Sequence, residues 1–265
     1  MTQHLLDIRR LSLHDQKAGG ALLVNEVSFA IEAGASLGIV GESGSGKSLT
    51  LRALIGCLPR GIALAGGDVW VDGVQVVQAG REVIKGRGTP FGLVFQNPAG
   101  ALDPLMRIGK QIAEIHRATT GDGRAQSMAA AIELIRQVGI DEPERRARAY
   151  PHQLSGGQRQ RIILAIALAK KPQILLCDEP TTALDTATQA QILELINTIR
   201  RQQNIAIIFV SHDLSVVSRL CEHICVMRYG EIVESGRTEA VINHPVHPYS
   251  KMLIGSQLLL QGGWA

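Results

Sequence analysis

Gly41-Glu42-Ser43-Gly44-Ser45-Gly46-Lys47-Ser48 is the most informative string in this chain. It fits the pattern G-x4-G-K-[ST] in full. The apolar run Ser36–Val40 precedes it and a helix-like segment, residues 47–57, follows. A strand passing into a helix through small residues is the setting in which such a loop binds phosphate. The glycines let successive backbone N–H groups turn inward around phosphate oxygens. The helix N-terminus adds its partial positive charge. Lys47 is then placed to reach the β- and γ-phosphates of a nucleotide, and the Ser48 hydroxyl to ligate Mg2+. Gly41, Ser43, Gly44, Ser45, Gly46, Lys47, Ser48 and Leu49 are the candidate nucleotide contacts.

Further strand-like runs occur at 22–31, 69–71, 91–95, 173–177, 205–210 and 223–227. Those at 36, 173 and 205 are apolar throughout, as strands buried on both faces of a parallel sheet require. Met128, Ile132, Ile135 and Val138 share one helical face, and so do Ile192, Leu195, Ile196 and Ile199. Strands alternating with helices predict an α/β fold with crossover connections. From about Asn97 to Leu168 the pattern is mostly helical, which predicts a helical subdomain inserted into the core. Asn97-Pro98, Asp103-Pro104 and Tyr150-Pro151 mark breaks near its edges. The expected organisation is one domain over 1–265: a core from 1–96 and 169–235, the helical part at 97–168, and a tail at 236–265. The tail reads as a short helix, a His-Pro turn and a last amphipathic piece.

Composition bounds the partners. The chain has 265 residues, 45% hydrophobic and 19% charged, which is ordinary for a globular protein. The net charge of +3, from 27 Lys+Arg against 24 Asp+Glu, and the lack of a long like-charge run do not indicate nucleic acid. Arg145, Arg146 and Arg148 beside Glu142 and Glu144 read as a solvated helix face. Residues 1–10 do not read as a signal peptide. The longest apolar run, Ile162–Ala169, is shorter than the roughly 18 residues of a membrane span. Any membrane role is then expected to come through docking on another chain. Cys57, Cys177, Cys221 and Cys225 read as core thiols in a reducing compartment. Cys221, His223 and Cys225 lack the second pair of ligands that a metal site would need.

Two further strings carry chemistry. Ile174-Leu175-Leu176-Cys177-Asp178-Glu179 is an apolar strand ending in two acids. Asp178 is expected to hold Mg2+, and Glu179 to polarise the attacking water as general base. Leu154-Ser155-Gly156-Gly157-Gln158 precedes the helix-like run 159–169. Ser155 and the glycines offer a polar cap and amides at a helix start, a second anion site.

With that last string the sequence resembles the ABC ATPases, whose signature is LSGGQ. The resemblance runs from about Leu5 to Tyr249, with motifs in the family's order. It implies a P-loop NTPase core with a mainly parallel sheet, an N-terminal antiparallel β portion and an inserted α-helical subdomain. ATP and Mg2+ are the implied ligands. Gln96 matches the Q-loop, with a role in catalysis and at the metal. Ala183-Leu184-Asp185 matches the D-loop, and His212 the switch histidine that meets the γ-phosphate. The resemblance also implies a dimer, in which Ser155, Gly157 and Gln158 serve the partner's nucleotide; Gly156 and Asp185 are further candidate nucleotide contacts. It departs from the family at the adenine, since no Phe, Tyr or Trp lies between Leu5 and Ser28. His14 or apolar side chains such as Leu22 are the candidates for that place.

Tyr150-Pro151-His152-Gln153-Leu154, Asp178–Asp185 and His244-Pro245-Val246-His247-Pro248-Tyr249 are similar to the dipeptide, oligopeptide and nickel importers. The short tail and Leu58-Pro59-x-Gly61 lean toward the nickel and metal-chelate members. The branch implies a second homologous ATPase, two transmembrane permease subunits and an extracytoplasmic solute-binding protein. It places the chain at the cytoplasmic face of the membrane. The His-Pro string is read as a turn and helix start, not a nickel site. The competing class is an ABC-type ATPase of DNA repair or chromosome maintenance. Its usual coiled coils, zinc modules or tandem cassettes find no counterpart in this sequence.

Overall fold

The computed structural model describes residues 4–17, 19–78, 89–95, 98–182 and 184–260. Its first stretch contains β1 (Leu6–Asp15), β2 (Ala21–Ile31), β3 (Ser36–Val40), α1 (Lys47–Leu54), β4 (Ile62–Val71) and β5 (Val74–Gln78). The middle contains β6 (Phe91–Val94), α2 (Pro98–Ala101), α3 (Ile108–Thr120), α4 (Arg124–Gln137), α5 (Pro143–Ala147), α6 (Gly156–Ala169), β7 (Ile174–Asp178) and α7 (Thr186–Gln203). The last stretch contains β8 (Ala206–Ser211), α8 (Leu214–Leu220), β9 (His223–Arg228), β10 (Glu231–Arg237), α9 (Thr238–Asn243) and α10 (Pro248–Leu260). The chain divides into two compact units, Met1–Lys85 with Ala206–Ala265, and Gly86–Ile205.

In the first unit β3 is buried at every residue and lies between β8 and β9, parallel to both. A strand covered on both faces has no polar side to alternate, which is why its sequence is apolar throughout. β10 returns antiparallel along β9. A separate antiparallel sheet has the order β2-β1-β4-β5, the N-terminal β portion that was expected. β1, β5 and β10 were not among the expected strands, and β4 begins seven residues before Val69. The physical reason is clearest in β1. Its core residues are Leu6, Ile8, Leu11 and Leu13, so the period of two slips between Ile8 and Leu11. The register with both neighbours shifts at that point, and Arg10 takes a φ of 48°. A bulge of this kind hides a strand from any alternation reading.

In the second unit β6 and β7 pair in parallel, Phe91 opposite Ile174 through Val94 opposite Cys177. The long helices gather around α6, which contacts α2, α3, α4, α7 and β6. Ile162, Ile163, Leu164 and Leu168 of α6 are buried. Each contributes roughly 1.5–3 kcal/mol relative to exposure, which explains a helix apolar nearly all round. The expected face of α4 is rotated. Ser127, Ala131, Ile135 and Val138 are buried, whereas Ile132 is half-buried and Met128 exposed. In α7 Ile192, Ile196 and Ile199 are buried as expected, with Leu195 half-buried. In the basic cluster near 145, Arg145 and Arg148 are exposed and Arg146 is half-buried, and Arg145 meets Glu142 at 2.8 Å with both side chains largely exposed. No helix of the described residues is long and apolar enough to cross a membrane.

Candidate functional site

The phosphate loop lies between β3 and α1 in the first unit. Close approach dictates its glycines. A Cβ on Gly41 would lie 2.1 Å from the Met227 carbonyl oxygen. One on Gly46, whose φ is 102°, would lie 2.8 Å from Met227 Cε and 3.0 Å from the Leu23 carbonyl oxygen. The loop is therefore pressed against β2 and the end of β9, and it is closed further by Gly230 donating its N–H to the Ser45 carbonyl at 3.0 Å. Lys47 is 5% exposed. Its Nζ donates to the carbonyls of Gly41 and Glu42, each at 2.8 Å, and to Ser45 Oγ at 3.4 Å. A buried ammonium needs such partners. Here the loop's own carbonyls aim it into the loop, next to the first turn of α1, whose N–H groups have no intrahelical acceptors. This donor set fits a polyphosphate.

The acid pair ends β7 in the second unit. Asp178 is 6% exposed. Glu179 has left the strand and takes a φ of 46°. A non-glycine residue in that region costs on the order of 1–3 kcal/mol and persists only where its surroundings impose it. Part of that hold is local, since Thr182 Oγ1 donates to Glu179 Oε2 at 2.9 Å. The left-handed turn takes Glu179 out of the alternation of the strand, which ends at Asp178.

The signature string is a helix start. Ser155 is the N-cap of α6, its Oγ accepting from Gln158 N at 3.2 Å, while Gln158 Oε1 accepts from Ser155 N at 3.1 Å. This reciprocal box satisfies two amides at a helix end. Asp185 caps α7, accepting from Thr188 N at 3.0 Å and Thr188 Oγ1 at 2.7 Å. The Thr188 amide and hydroxyl hold the Asp185 carboxyl below the usual carboxylate range. The two starts touch. A Cβ on Gly157 would lie 2.6 Å from Thr188 Cγ2, and one on Gly156 3.8 Å from Leu184 Cδ2. Gly157 thus has a packing reason as well as a chemical one. Sequence reasoning missed Thr182 and Thr188, whose only signal was their place just after an expected acid.

Of the remaining expected residues, His212 is exposed just after β8, and its carbonyl accepts from Gln257 Nε2. Gln96 and Ala183 lie outside the described residues. His14 and Leu22, the two candidates for the adenine position, are directly opposite each other across β1 and β2. Leu22 is 53% exposed, one residue before the Leu23 carbonyl that borders Gly46. The His-Pro string forms the expected turn. Glu234 accepts from Val246 N at 2.8 Å and His247 N at 3.0 Å, and α10 begins at Pro248. Among the cysteines Cys177, Cys221 and Cys225 are buried, and burial pushes the Cys225 thiol up to about 12. Cys57 is exposed beyond α1, contrary to its expected place in the core.

Comparison with known proteins adds a family model, two relatives and one solved structure. The family model described as "ABC transporter" matches residues 24–182. The chain is 42% identical over 262 residues to the peptidoglycan transport ATP-binding protein YejF of Agrobacterium fabrum, covering 97% of this chain but 47% of that protein. It is 42% identical over 257 residues to the dipeptide transport ATP-binding protein DppD of Lactococcus lactis, covering 96% of this chain and 74% of that one. The chain thus spans about half the length of the first of these relatives. A solved dimeric ATP-binding cassette, in a post-hydrolysis state with ADP and Pi, superposes with a TM-score of 0.73. The identity is 28%, over 88% of this chain and 98% of that one.

Proposed function

We propose, on the premise that this chain belongs to the ABC transporter family, that it binds MgATP, hydrolyses it as one of a pair of cassettes, and so powers a membrane importer. The observation that carries the reading is the phosphate loop with Lys47 buried among its carbonyls. Lys47 and the loop amides receive the β- and γ-phosphates. Ser48 and Asp178 are of the right chemistry, hydroxyl and carboxylate oxygen, to hold Mg2+. Gln96 joins them in our reading. The metal, when bound, offsets the phosphate charge. Glu179 takes the proton of the attacking water as that water bonds to the γ-phosphorus. The bond from the γ-phosphorus to the bridging oxygen breaks, giving ADP and phosphate. His212 orients the γ-phosphate, and His14 or an apolar side chain such as Leu22 lines the adenine position.

Ser155, Gly156, Gly157, Gln158 and Asp185 act across the dimer on the partner's nucleotide. This accounts for a capped, glycine-rich helix start that is exposed at Ser155 and Gly156. Ser155→Arg places a bulky cation at that start. The variant is expected to keep the parent's affinity for a fluorescent ATP analogue and to lose most of its hydrolysis. A variant hydrolysing at the parent rate would remove the composite site.

The pair is a homologous second ATPase, beneath two permease subunits at the cytoplasmic face of the membrane, served by an extracytoplasmic solute-binding protein. The peptide and peptidoglycan names of the two relatives weigh toward a peptide-class solute, rather than the metal chelates of the nickel-type members. The start of the helical part, near residues 96–109, receives the permease. Leu105, 87% exposed between α2 and α3, is the most exposed large hydrophobic side chain among the described residues of that part. A cysteine at Leu105 is expected to crosslink to a permease subunit in detergent-solubilised membranes, and a cysteine at Val74 of the first unit's antiparallel sheet is not. Equal crosslinking from both positions would remove this assignment.

A further inference from the structure

Helix α10 touches the nucleotide machinery at two places. Tyr249 Oη accepts from Glu42 N at 3.1 Å, and Tyr249 is 2% exposed. The same peptide group is held at its other end, because the Gly41 carbonyl accepts from Lys47 Nζ at 2.8 Å. One peptide plane at the entry to the phosphate loop is thus pinned by the tail on one side and by the phosphate-binding cation on the other. Two turns along α10, Gln257 Oε1 accepts from Leu214 N at 2.8 Å, and Gln257 Nε2 donates to the His212 carbonyl. The side-chain amide therefore clasps the His212–Leu214 segment at both ends. The two grips are eight residues apart, about 12 Å along a helix axis.

Tyr249 is itself built in. His247 Nδ1 accepts from Tyr249 N at 3.1 Å. The Arg228 guanidinium lies 4.7 Å from the Tyr249 ring centroid and 4.8 Å from that of Tyr229, an attractive arrangement of cation and ring faces. Glu234 holds the turn that leads into the helix. Burial works to raise the Glu234 carboxyl, yet the Ser250 hydroxyl, and after it the Val246 and His247 amides, hold it below the usual range.

We propose that α10 is a positioning element of the nucleotide site, in which Tyr249 and Gln257 hold the phosphate loop and the His212 segment in one fixed relation. Neither residue touches nucleotide. Each removes freedom from a backbone segment that must meet the same terminal phosphate, and an error of about 1 Å in such a placement costs on the order of 100-fold in rate. The proposal rests on the ATPase reading above and assigns that site a regulator within the chain. Whatever shifts α10 would slow hydrolysis without entering the nucleotide pocket.

Steady-state phosphate release by the full chain tests it, with melting temperatures measured alongside. Tyr249→Phe removes one oxygen and keeps the ring against Arg228. Turnover is expected to fall roughly tenfold, with KM for ATP within about twofold and the melting temperature within about 4 °C. Gln257→Ala is expected to behave alike. Gln257→Glu keeps the acceptor for Leu214 N but loses the donor to the His212 carbonyl, and is expected to fall with Gln257→Ala. The double variant should lose less than the product of the two single losses, because both act through one helix. Parent turnover in both single variants would overturn the proposal. So would a loss of turnover that merely follows the fraction of unfolded chain at the assay temperature. A parent chain that binds and hydrolyses no ATP would instead remove the ATPase reading, and this proposal with it.

Discussion

Glu179→Gln is expected to bind MgATP as the parent does and to hydrolyse it at least about 100-fold more slowly, the scale of a lost general base. The substitution is well suited to its site. A glutamine carbonyl can still accept from Thr182 Oγ1, which in the parent donates to Glu179 Oε2 at 2.9 Å. The left-handed backbone at φ 46° already accommodates a side chain of that length. Fold and loop geometry should therefore survive while the proton acceptor is lost. The ATP-bound dimer, normally consumed by hydrolysis, should accumulate. Asp178→Asn is expected to differ, because Asp178 is read as a metal ligand. It should lose Mg2+-dependent binding together with turnover. Gel filtration of both variants with MgATP, beside a phosphate-release assay, separates the two. Hydrolysis by Glu179→Gln at the parent rate would show that the acid pair has been misassigned.

Lys47→Ala is expected to abolish measurable hydrolysis and to weaken MgATP binding by roughly ten- to a hundredfold. A hydrogen bond to a charged group is worth about 1.5–3 kcal/mol, and about 1.4 kcal/mol is tenfold in affinity. The effect has a second source in this loop. Lys47 Nζ holds the Gly41 and Glu42 carbonyls and Ser45 Oγ. Alanine leaves those acceptors without their donor, so the loop loses its shape as well as its charge. Titration with a fluorescent ATP analogue measures the first loss. A melting temperature close to the parent's would establish that the binding defect is not a folding defect. Unchanged affinity and unchanged turnover together would refute the phosphate-loop assignment.

The candidate motifs were legible because each is local. Eight consecutive residues carry the phosphate loop, two carry the acid pair and five carry the signature. A loop of that composition between a strand and a helix brings its own donors. The strands at 36–40, 174–178 and 206–211 were legible for a related reason, since burial on both faces leaves a continuous apolar run that nothing distant can disguise. β1 was not, because its bulge near Arg10 breaks the alternation that a one-sided strand otherwise displays. The face of α4 was read one residue off. Ser127 and Ala131 are small and carry no hydrophobic signal, yet they occupy the buried stripe that Met128 and Ile132 were expected to fill.

Contacts between residues far apart in sequence were decided by the tertiary structure alone. Gly157 looks like part of a phosphate-binding signature. Only the packed chain shows that its missing side chain is also the space that Thr188 occupies. Tyr249 lies 207 residues from the Glu42 amide that it accepts, and no periodicity or motif could have joined them. The sequence by itself determined which residues are the candidates for nucleotide chemistry, because those groups lie at neighbouring positions on one backbone. How firmly the groups are held was left to the fold, because a side chain's direction depends on whichever distant residue fills the space beside it.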